Sequence, residues 1–190
     1  MIMKIGLYGG TFDPIHHGHL ILAREALETL GLKKVIFLPA QVSPFKVSSS
    51  PAPPELRLSL LKAALEGEPY FTWDTCELER EGPSYTIDTI RLMRDRYPQA
   101  LFYYFIGEDH LSTLPAWKEY DALTLEVRFV VLNRGTVRSA TSFPVIDRRV
   151  DISATDIRDR IARGLSVRYF LPEAVLEILL KSDCYRTPRT

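Results

Sequence analysis

Apolar residues along the chain follow two spacings, which predict alternating strands and helices. Short continuous apolar runs are typical of buried strands, and they occur at Lys4–Tyr8, Val35–Leu38, Phe71–Leu78, Leu101–Ile106 and Val127–Leu132. Between them, apolar positions at helical spacing predict helices at His19–Leu30, Glu55–Leu65, Ile87–Arg96 and Trp117–Leu123. This alternation predicts an α/β fold with a Rossmann-like, doubly wound and mainly parallel sheet.

The end of the chain departs from this alternation. Two further helical patterns, Ser153–Arg163 and Pro172–Lys181, follow one another without a strand. They predict a C-terminal helical appendage that packs on the sheet. A length of 190 residues suits one domain, so we expect a single unit with its core in residues 1–150 and the helical part in 151–190.

Charge and cysteine content exclude several classes of function. Lys plus Arg and Asp plus Glu are balanced at 24 each, so no net field favours nucleic acid or an anionic membrane, and any phosphate binding has to be local. The two cysteines, Cys76 and Cys184, lack the close spacing of a zinc site or a disulfide scaffold. No apolar stretch is long enough to span a bilayer, and the N-terminus resembles a core strand more than a signal peptide. We therefore expect a cytoplasmic location.

The segment Gly9–Leu20 joins the first predicted strand to the first predicted helix and is a candidate phosphate site. Its double glycine lets the backbone turn sharply and approach a ligand, and a helix N-terminus attracts anions through its unpaired amides. His16 and His19 stand three residues apart at the helix start, where both imidazoles can face a bound phosphate. A histidine at such a place is otherwise a cap or a surface residue, and His17 is expected to face solvent.

The segment Ser153–Arg158 is a second candidate phosphate site. Ser153 as N-cap and Asp156 three residues later form a capping-box pattern, which defines a helix start. Amides near Thr155 remain available to an anion, and Arg158 follows one turn later with a guanidinium fork that suits phosphate oxygens. The same residues also fit a plain capped helix with a solvated arginine.

Two other segments, Ser84–Thr89 and Phe105–Asp109, lie at the edge of the predicted sheet where α/β proteins bind ligands. Asp109 either accepts hydrogen bonds from ribose hydroxyls or caps the following helix. Trp117 either stacks on a flat pyridine ring or is buried in the core. Both alternatives stay open on these residues alone.

Motifs in these segments resemble one enzyme family. GGTFDPIHHGHL at Gly9–Leu20 contains the H-x-G-H signature of the nucleotidyltransferase superfamily, and in its full form it is similar to bacterial nicotinate-nucleotide adenylyltransferases. Ile152–Arg158 resembles the superfamily's downstream I-S-x-T-x-I-R signature, with Ala154 where the family often has serine. The S-Y-T-x-D-T of Ser84–Thr89, and a G-x-D followed by Trp117, are similar to the same family.

The resemblance implies an enzyme of NAD biosynthesis that moves the adenylyl group of ATP to nicotinate mononucleotide by direct in-line attack, giving deamido-NAD and pyrophosphate. It implies Mg²⁺ held mainly by phosphate oxygens and water. The implied catalytic residues are His16, His19 and Arg158. The residues expected to contact ATP are Gly9, Gly10, Thr11, Gly18, Lys46, Gly107, Asp109, Arg134, Ser153 and Thr155. Those expected to contact nicotinate mononucleotide are Ser84, Tyr85, Thr86 and Trp117.

Two of these residues, Lys46 and Arg134, lie outside the motifs described above. The stretch Gln41–Pro54 is rich in serine and proline, which predicts a surface loop of a length typical of a lid. Lys46 in this loop is assigned to the triphosphate only through the family's lysine there, since lysines are usually solvated. Arg134 follows the fifth predicted strand at the same sheet edge.

Other functions stay open at this point. A related adenylyltransferase would use nicotinamide mononucleotide or phosphopantetheine, whereas the S-Y-T and tryptophan segments favour a pyridine nucleotide. A helix start near Tyr85 and Thr86 favours the nicotinate carboxylate, because the unpaired backbone amides at a helix start stabilise a negative charge. The classes outside this superfamily are a non-catalytic nucleotide-binding Rossmann module and a cofactor-dependent oxidoreductase, although the first loop lacks G-x-G-x-x-G. The oligomeric state stays open, and a homo-oligomer is one of the alternatives.

Overall fold

Six strands form one sheet in the part of the chain that the computed structural model describes, residues 2–41, 51–82, 84–133 and 141–186. They are β1 Lys4–Gly10, β2 Lys34–Pro39, β3 Phe71–Trp73, β4 Leu101–Gly107, β5 Val127–Asn133 and β6 Val145–Asp147. Their order across the sheet is β3-β2-β1-β4-β5-β6, and each neighbouring pair is parallel. The predicted α/β, Rossmann-like fold is confirmed.

Helices cover both faces of this sheet. They are α1 His17–Leu30, α2 Pro54–Leu65, α3 Thr86–Arg96, α4 Tyr120–Glu126, α5 Ala154–Ala162 and α6 Glu173–Lys181, with short 3-10 turns at Glu108–His110 and Leu114–Ala116. Val35 and Phe37 of β2 share a core cluster with α1, α2 and α6, whereas Ile36 and Leu38 share one with α3 and α4. Successive strand residues point to opposite faces, so β2 is buried on both sides, as a doubly wound sheet requires.

The chain changes its direction of travel across the sheet between β1 and β4. From β1 it moves outward to β2 and β3, and it then crosses back to β4, β5 and β6 on the other side. The carboxyl ends of β1 and β4 therefore lie side by side, while the connections that leave them run in opposite directions. Such a switch point opens the crevice in which α/β folds bind ligands.

Local sequence explains the ends of the two helices nearest this crevice. α1 is closed by Gly31, which adopts a left-handed φ of 60° and donates its N–H to the carbonyl of Glu28 at 3.3 Å. α5 follows Ser153, whose hydroxyl accepts a hydrogen bond from the amide of Asp156 at 3.1 Å. The contact of Ser153 confirms the predicted N-cap.

The last two helices pack into the same core as the sheet. Ile157 of α5 and Val175 of α6 are fully buried in one cluster with Leu22 of α1 and Phe105 of β4. These helices form the predicted C-terminal appendage, and they share their core with the sheet. Within the described ranges, no helix combines the length and the apolar character needed to cross a bilayer.

The segment after β2 and α2 differs from the sequence prediction. An extended element was predicted over Phe71–Leu78, but the strand ends at Trp73. The side chain of Asp74 accepts a hydrogen bond from the amide of Cys76 at 3.0 Å, and this contact starts a turn. The prediction was therefore wrong for the second half of that segment.

Two elements near the end of the sheet also differ. The helix predicted to start at Trp117 begins at Tyr120 instead, because Trp117 has extended backbone angles, φ −68° and ψ 145°. Strand β6 was not predicted. Of its three residues Ile146 is buried, whereas Val145 and Asp147 are exposed, so the sequence has no apolar run that would predict this strand.

Candidate active site

A cleft of about 490 Å³ opens at the carboxyl ends of β1 and β4. His19 and Arg158, which belong to the two candidate phosphate sites, both line it. The predicted site residues that line the cleft are Gly9, Gly10, Thr11, His16, His19, Ser84, Tyr85, Thr86, Gly107, Asp109, Trp117, Ser153, Thr155 and Arg158. Lys46 and Arg134 lie outside the described residues, so their predicted contacts with ATP stay predictions.

The two predicted histidines stack on one another at the start of α1. Their ring centroids lie 3.7 Å apart with the planes tilted by 30°. His16 is the N-cap residue and is fully buried, and its backbone N–H donates to Nδ1 of His19 at 3.3 Å. Because Nδ1 accepts that bond, a neutral His19 carries its proton on Nε2, where it can donate to a ligand. Phe12 packs edge-on against His19, with ring centroids 5.2 Å apart, and fixes its orientation.

Gly18 is buried and is absent from the cleft lining, and its predicted contact with ATP stays a prediction. A Cβ atom at this position would lie 2.9 Å from the His16 ring and 3.3 Å from the carbonyl oxygen of Ile152. Glycine is needed here because the imidazole and the start of the second motif both pack against the backbone. Gly18 therefore shapes the histidine site from behind.

The second motif is attached directly to the first. Arg158 donates from Nη1 to the backbone carbonyl of Asp13 at 2.8 Å and from Nη2 to the hydroxyl of Thr155 at 3.2 Å. The carboxylate of Asp13 lies 3.9 Å from the same Nη1. The Arg158 side chain is 22% exposed and lines the cleft, so these contacts hold its guanidinium at the cleft wall.

The start of α3 forms the opposite side of the cleft. Ser84 donates its hydroxyl hydrogen to the carbonyl of Glu77 at 3.2 Å, and Thr86 is the first residue of the helix. The hydroxyl of Tyr104 lies 3.5 Å from the Thr86 hydroxyl and faces Gly9, where a Cβ atom would approach it to 2.5 Å. Burial raises the pKa of Tyr104, so this phenol stays protonated at neutral pH. The two walls of the cleft thus meet through Tyr104.

Trp117 is half-buried beside α3, and its indole also lines the cleft. Three aromatic rings meet it nearly edge-on, with centroids at 6.2 Å for Tyr104, 6.0 Å for His110 and 6.3 Å for Phe129. Edge-on packing of this kind holds an indole in place. The ring thus packs against the core and also lines the cleft, and its predicted stacking on a pyridine ring stays a prediction.

Positive charge lies near the start of α3. Lys118 lines the cleft, and its ammonium group lies 3.2 Å from the carboxylate of Asp88 and 4.5 Å from the ring centroid of Tyr85. Both contacts tether the flexible side chain near the start of α3. Sequence reasoning missed this residue, since its pairing with Asp88 joins positions 30 residues apart.

Glu77 is a buried carboxyl group in the cleft wall that sequence reasoning also missed. It is 5% exposed and accepts a hydrogen bond from the hydroxyl of Thr89 at 2.9 Å. Burial raises the pKa of Glu77, while the bond from Thr89 and the charge of Arg80 act in the opposite direction. No local pattern marks this glutamate, because its partner is in the next helix along the chain.

Arg57 was missed as well, although it lies behind the first motif. This fully buried side chain donates to three backbone carbonyls, of Thr11 at 2.7 Å, Ala52 at 3.0 Å and Gln41 at 3.3 Å. Burial lowers the pKa of Arg57, and the nearby carboxylate of Asp13 raises it. The sequence did carry a signal, since Arg57 falls on the apolar face of α2.

Comparison with known proteins gives a consistent picture. Residues 7–160 match the family model described as cytidylyltransferase-like. The chain is 35% identical to the nicotinate-nucleotide adenylyltransferase of Bacillus subtilis, covering 97% of this chain and 99% of the relative. It is 40% identical to a protein of Bacillus licheniformis named a probable nicotinate-nucleotide adenylyltransferase, with the same coverage.

A solved structure shares the fold at lower identity. It is Plasmodium falciparum nicotinic acid mononucleotide adenylyltransferase complexed with NaAD, and it superposes with a TM-score of 0.81. The alignment covers 98% of both chains at 18% sequence identity, so this likeness concerns the fold. The six-stranded core and its C-terminal helices are therefore an arrangement that this solved structure also has.

Proposed function

The chain belongs to the nicotinate-nucleotide adenylyltransferases of NAD biosynthesis, within the cytidylyltransferase-like family, and we propose that the cleft between β1 and β4 joins ATP to nicotinate mononucleotide in one in-line step. The observation that carries this proposal is the bond from Arg158 to the Asp13 carbonyl, 2.8 Å long. It brings the helix starts of α1 and α5 to one side of the same cleft. Two such starts suit a single polyphosphate chain.

The side of the cleft proposed to hold the polyphosphate is formed by two helix starts that offer different groups. α1 offers the Nε2 donor of His19 beside the buried ring of His16, and α5 offers the fixed charge of Arg158. The amide of His17 at the start of α1 donates to the carbonyl of Phe170, and the amide of Asp156 at the start of α5 donates to the Ser153 hydroxyl. The proposed attraction for anions therefore rests on the positive end of each helix dipole together with these side chains. In the proposal, His16 and His19 contact the phosphate that reacts, and Ser153, Thr155 and Arg158 hold the β- and γ-phosphates.

The remaining ATP contacts lie along the strand ends. Gly9, Gly10 and Thr11 line the cleft at the end of β1, and Gly107 lines it at the end of β4, where their backbone is proposed to contact the nucleotide. Asp109 is exposed beside Gly107, where its carboxylate can accept hydrogen bonds from the ribose hydroxyls. Lys46 and Arg134 complete the proposed set.

The reaction needs alignment and neutralisation of charge more than proton transfer. A phosphate oxygen of nicotinate mononucleotide is already an anion, so it attacks the α-phosphorus of ATP without a general base. The new oxygen–phosphorus bond forms as the bond between the α-phosphorus and the bridging oxygen breaks, and pyrophosphate leaves with that bond's electron pair. The products are deamido-NAD and pyrophosphate. His19 and Arg158 donate hydrogen bonds to the charge that builds up on the phosphate oxygens.

The acceptor side suits a pyridine carboxylate. Ser84, Tyr85 and Thr86 surround the start of α3, whose first amides favour negative charge. Lys118 adds a cation near Tyr85, and Trp117 offers a ring to the pyridine. A neutral carboxamide would gain less from these groups, so the proposal includes a preference for nicotinate over nicotinamide mononucleotide.

Mg²⁺ is proposed as the companion of ATP. Among the described residues, no group of three His, Cys, Asp or Glu side chains is placed to hold a metal ion. The carboxylates in the cleft are those of Asp13, Glu77 and Asp109, and the first two are held in hydrogen bonds to the protein. This lining fits an ion held by phosphate oxygens and water, which would neutralise part of the polyphosphate charge.

One assay tests the proposal. The protein is incubated with ATP, Mg²⁺ and either nicotinate mononucleotide, nicotinamide mononucleotide or phosphopantetheine, and pyrophosphate release is measured. We expect the fastest release with nicotinate mononucleotide. Binding of ATP without release of pyrophosphate with any acceptor would instead indicate a nucleotide-binding module.

A matched pair of variants then tests the histidine site. His19→Ala should lower kcat by roughly 10²–10³, the usual cost of removing a transition-state donor. His17→Ala is the control, because His17 is two residues away on α1 and is not among the residues lining the cleft. The proposed role of His19 would be refuted by equal kcat values in the two variants.

A further inference from the structure

Tyr185 reaches back from the C-terminal end of the described chain to the first motif. Its side chain is 5% exposed, and its hydroxyl donates to Oδ1 of Asp13 at 2.6 Å across 172 residues of sequence. The same carboxylate oxygen accepts the amide of Ala52 at 3.0 Å. A bond between a buried hydroxyl and a carboxylate is short and strong, so it fixes the rotation of the Asp13 side chain.

Asp13 in turn holds Arg158. The backbone carbonyl of Asp13 accepts Nη1 of Arg158 at 2.8 Å, and Oδ2 of its carboxylate lies 3.9 Å from the same nitrogen. The carbonyl and the carboxylate together fix the position of Nη1, and with it the place of the guanidinium at the cleft wall.

We propose that Tyr185 is a positioning residue for adenylyl transfer, because its hydroxyl locks Asp13 and Asp13 places Arg158 against the polyphosphate. This inference rests on the proposed function of Arg158. Catalytic groups have to be held within a fraction of an ångström of their working geometry, and supporting hydrogen bonds do this. Loss of the Tyr185 hydroxyl would leave Oδ1 with the Ala52 amide and would let the carboxylate and the guanidinium shift together.

A purely structural role makes a different prediction. The ring of Tyr185 packs in the core cluster that includes α6, so its removal could lower stability without any action on Arg158. Tyr185→Phe keeps the ring and removes the hydroxyl. Tyr97→Phe is the matched control, since its hydroxyl accepts a bond from Lys34 at 2.9 Å outside the cleft.

The test is a double-mutant cycle with Arg158→Ala, followed by pyrophosphate release at saturating ATP and nicotinate mononucleotide. Tyr185→Phe should lower kcat about tenfold, a part of the 10²–10³ that full loss of a donor costs, with KM for nicotinate mononucleotide within about twofold. In the Arg158→Ala background the same change should alter kcat by less than about twofold. Tyr97→Phe should match wild type.

The outcomes separate the two proposals. An unchanged kcat in Tyr185→Phe, or an equal fall in both backgrounds, overturns the positioning role. A normal kcat in Arg158→Ala alone contradicts the proposed function of Arg158 instead. If Tyr185→Phe does not fold at the assay temperature by circular dichroism, the whole cycle is repeated at a lower temperature at which it folds, and the same dependence of its fall in kcat on Arg158 is required.

Discussion

Replacement of Arg57 by methionine should destabilise the protein far more than replacement of any exposed arginine. Arg57 is fully buried and satisfies three backbone carbonyls, of Thr11, Ala52 and Gln41. Methionine fills similar space, leaves these oxygens without their donor and removes a cation beside the Asp13 carboxylate. Breaking a buried charged network by deleting one partner costs about 3–5 kcal/mol.

That cost is a large fraction of the stability of a domain, which is about 5–15 kcal/mol. For a chain of 190 residues, each kcal/mol shifts Tm by roughly 2–4 °C, so Arg57→Met should lower Tm by roughly 6–20 °C. Urea unfolding followed by circular dichroism gives the free energy, and an unchanged m-value confirms that the folded state is still compact. Arg57→Lys should be intermediate, since it keeps the charge but lacks the planar fork.

Arg91→Met is the control for this experiment. Arg91 is an exposed helix residue that also pairs with carboxylates, those of Glu119 and Asp88. Solvent screens such pairs, so the urea midpoint should move far less than in Arg57→Met. Equal shifts in the two variants would refute the argument that burial of the carbonyl contacts decides the cost.

Two further predictions concern the acceptor side. Burial raises the pKa of Glu77, so the folded protein keeps that proton to higher pH than the unfolded chain, and the free energy of unfolding falls as pH rises through the raised pKa. Glu77→Gln keeps an acceptor for Thr89 and removes this pH dependence. In urea titrations across about pH 4–8, the free energy of unfolding of the variant should therefore rise relative to that of wild type as pH rises. A difference between the two proteins that stays constant with pH would contradict a raised pKa. Trp117→Ala should raise KM for nicotinate mononucleotide about tenfold with much less effect on kcat, because ring stacking is worth about 1–3 kcal/mol. Steady-state kinetics at saturating ATP checks this, and an unchanged KM would leave Trp117 with a packing role alone.

The central strands were predictable because a strand that is buried on both faces consists of consecutive apolar residues. Leu101–Ile106 could be assigned with one residue of error at the end of β4. β6 could not, because one buried residue, Ile146, gives no run. The start of α4 was predicted at Trp117, where the backbone is extended. Apolar periodicity does not show where a helix begins when no clear cap residue marks the start.

The site was predictable where it consists of contiguous motifs and unpredictable where it consists of distant pairs. His16 and His19 are neighbours in sequence and in space. The bond between Asp13 and Tyr185 spans 172 residues, and neither residue stands out locally. Arg57 is an intermediate case, because a charged residue on the apolar face of a helix signals a buried partner without saying which one.

The bond between Arg158 and Asp13 also bears on how the protein is made. It closes 145 residues of chain, and contacts of such long range form only after a large loss of chain entropy. During synthesis, β1 and α1 emerge from the ribosome long before the guanidinium that completes the proposed anion site. In the proposed mechanism a nascent chain therefore displays the histidines without the arginine, and it becomes competent for adenylyl transfer only after the C-terminal helices have been translated.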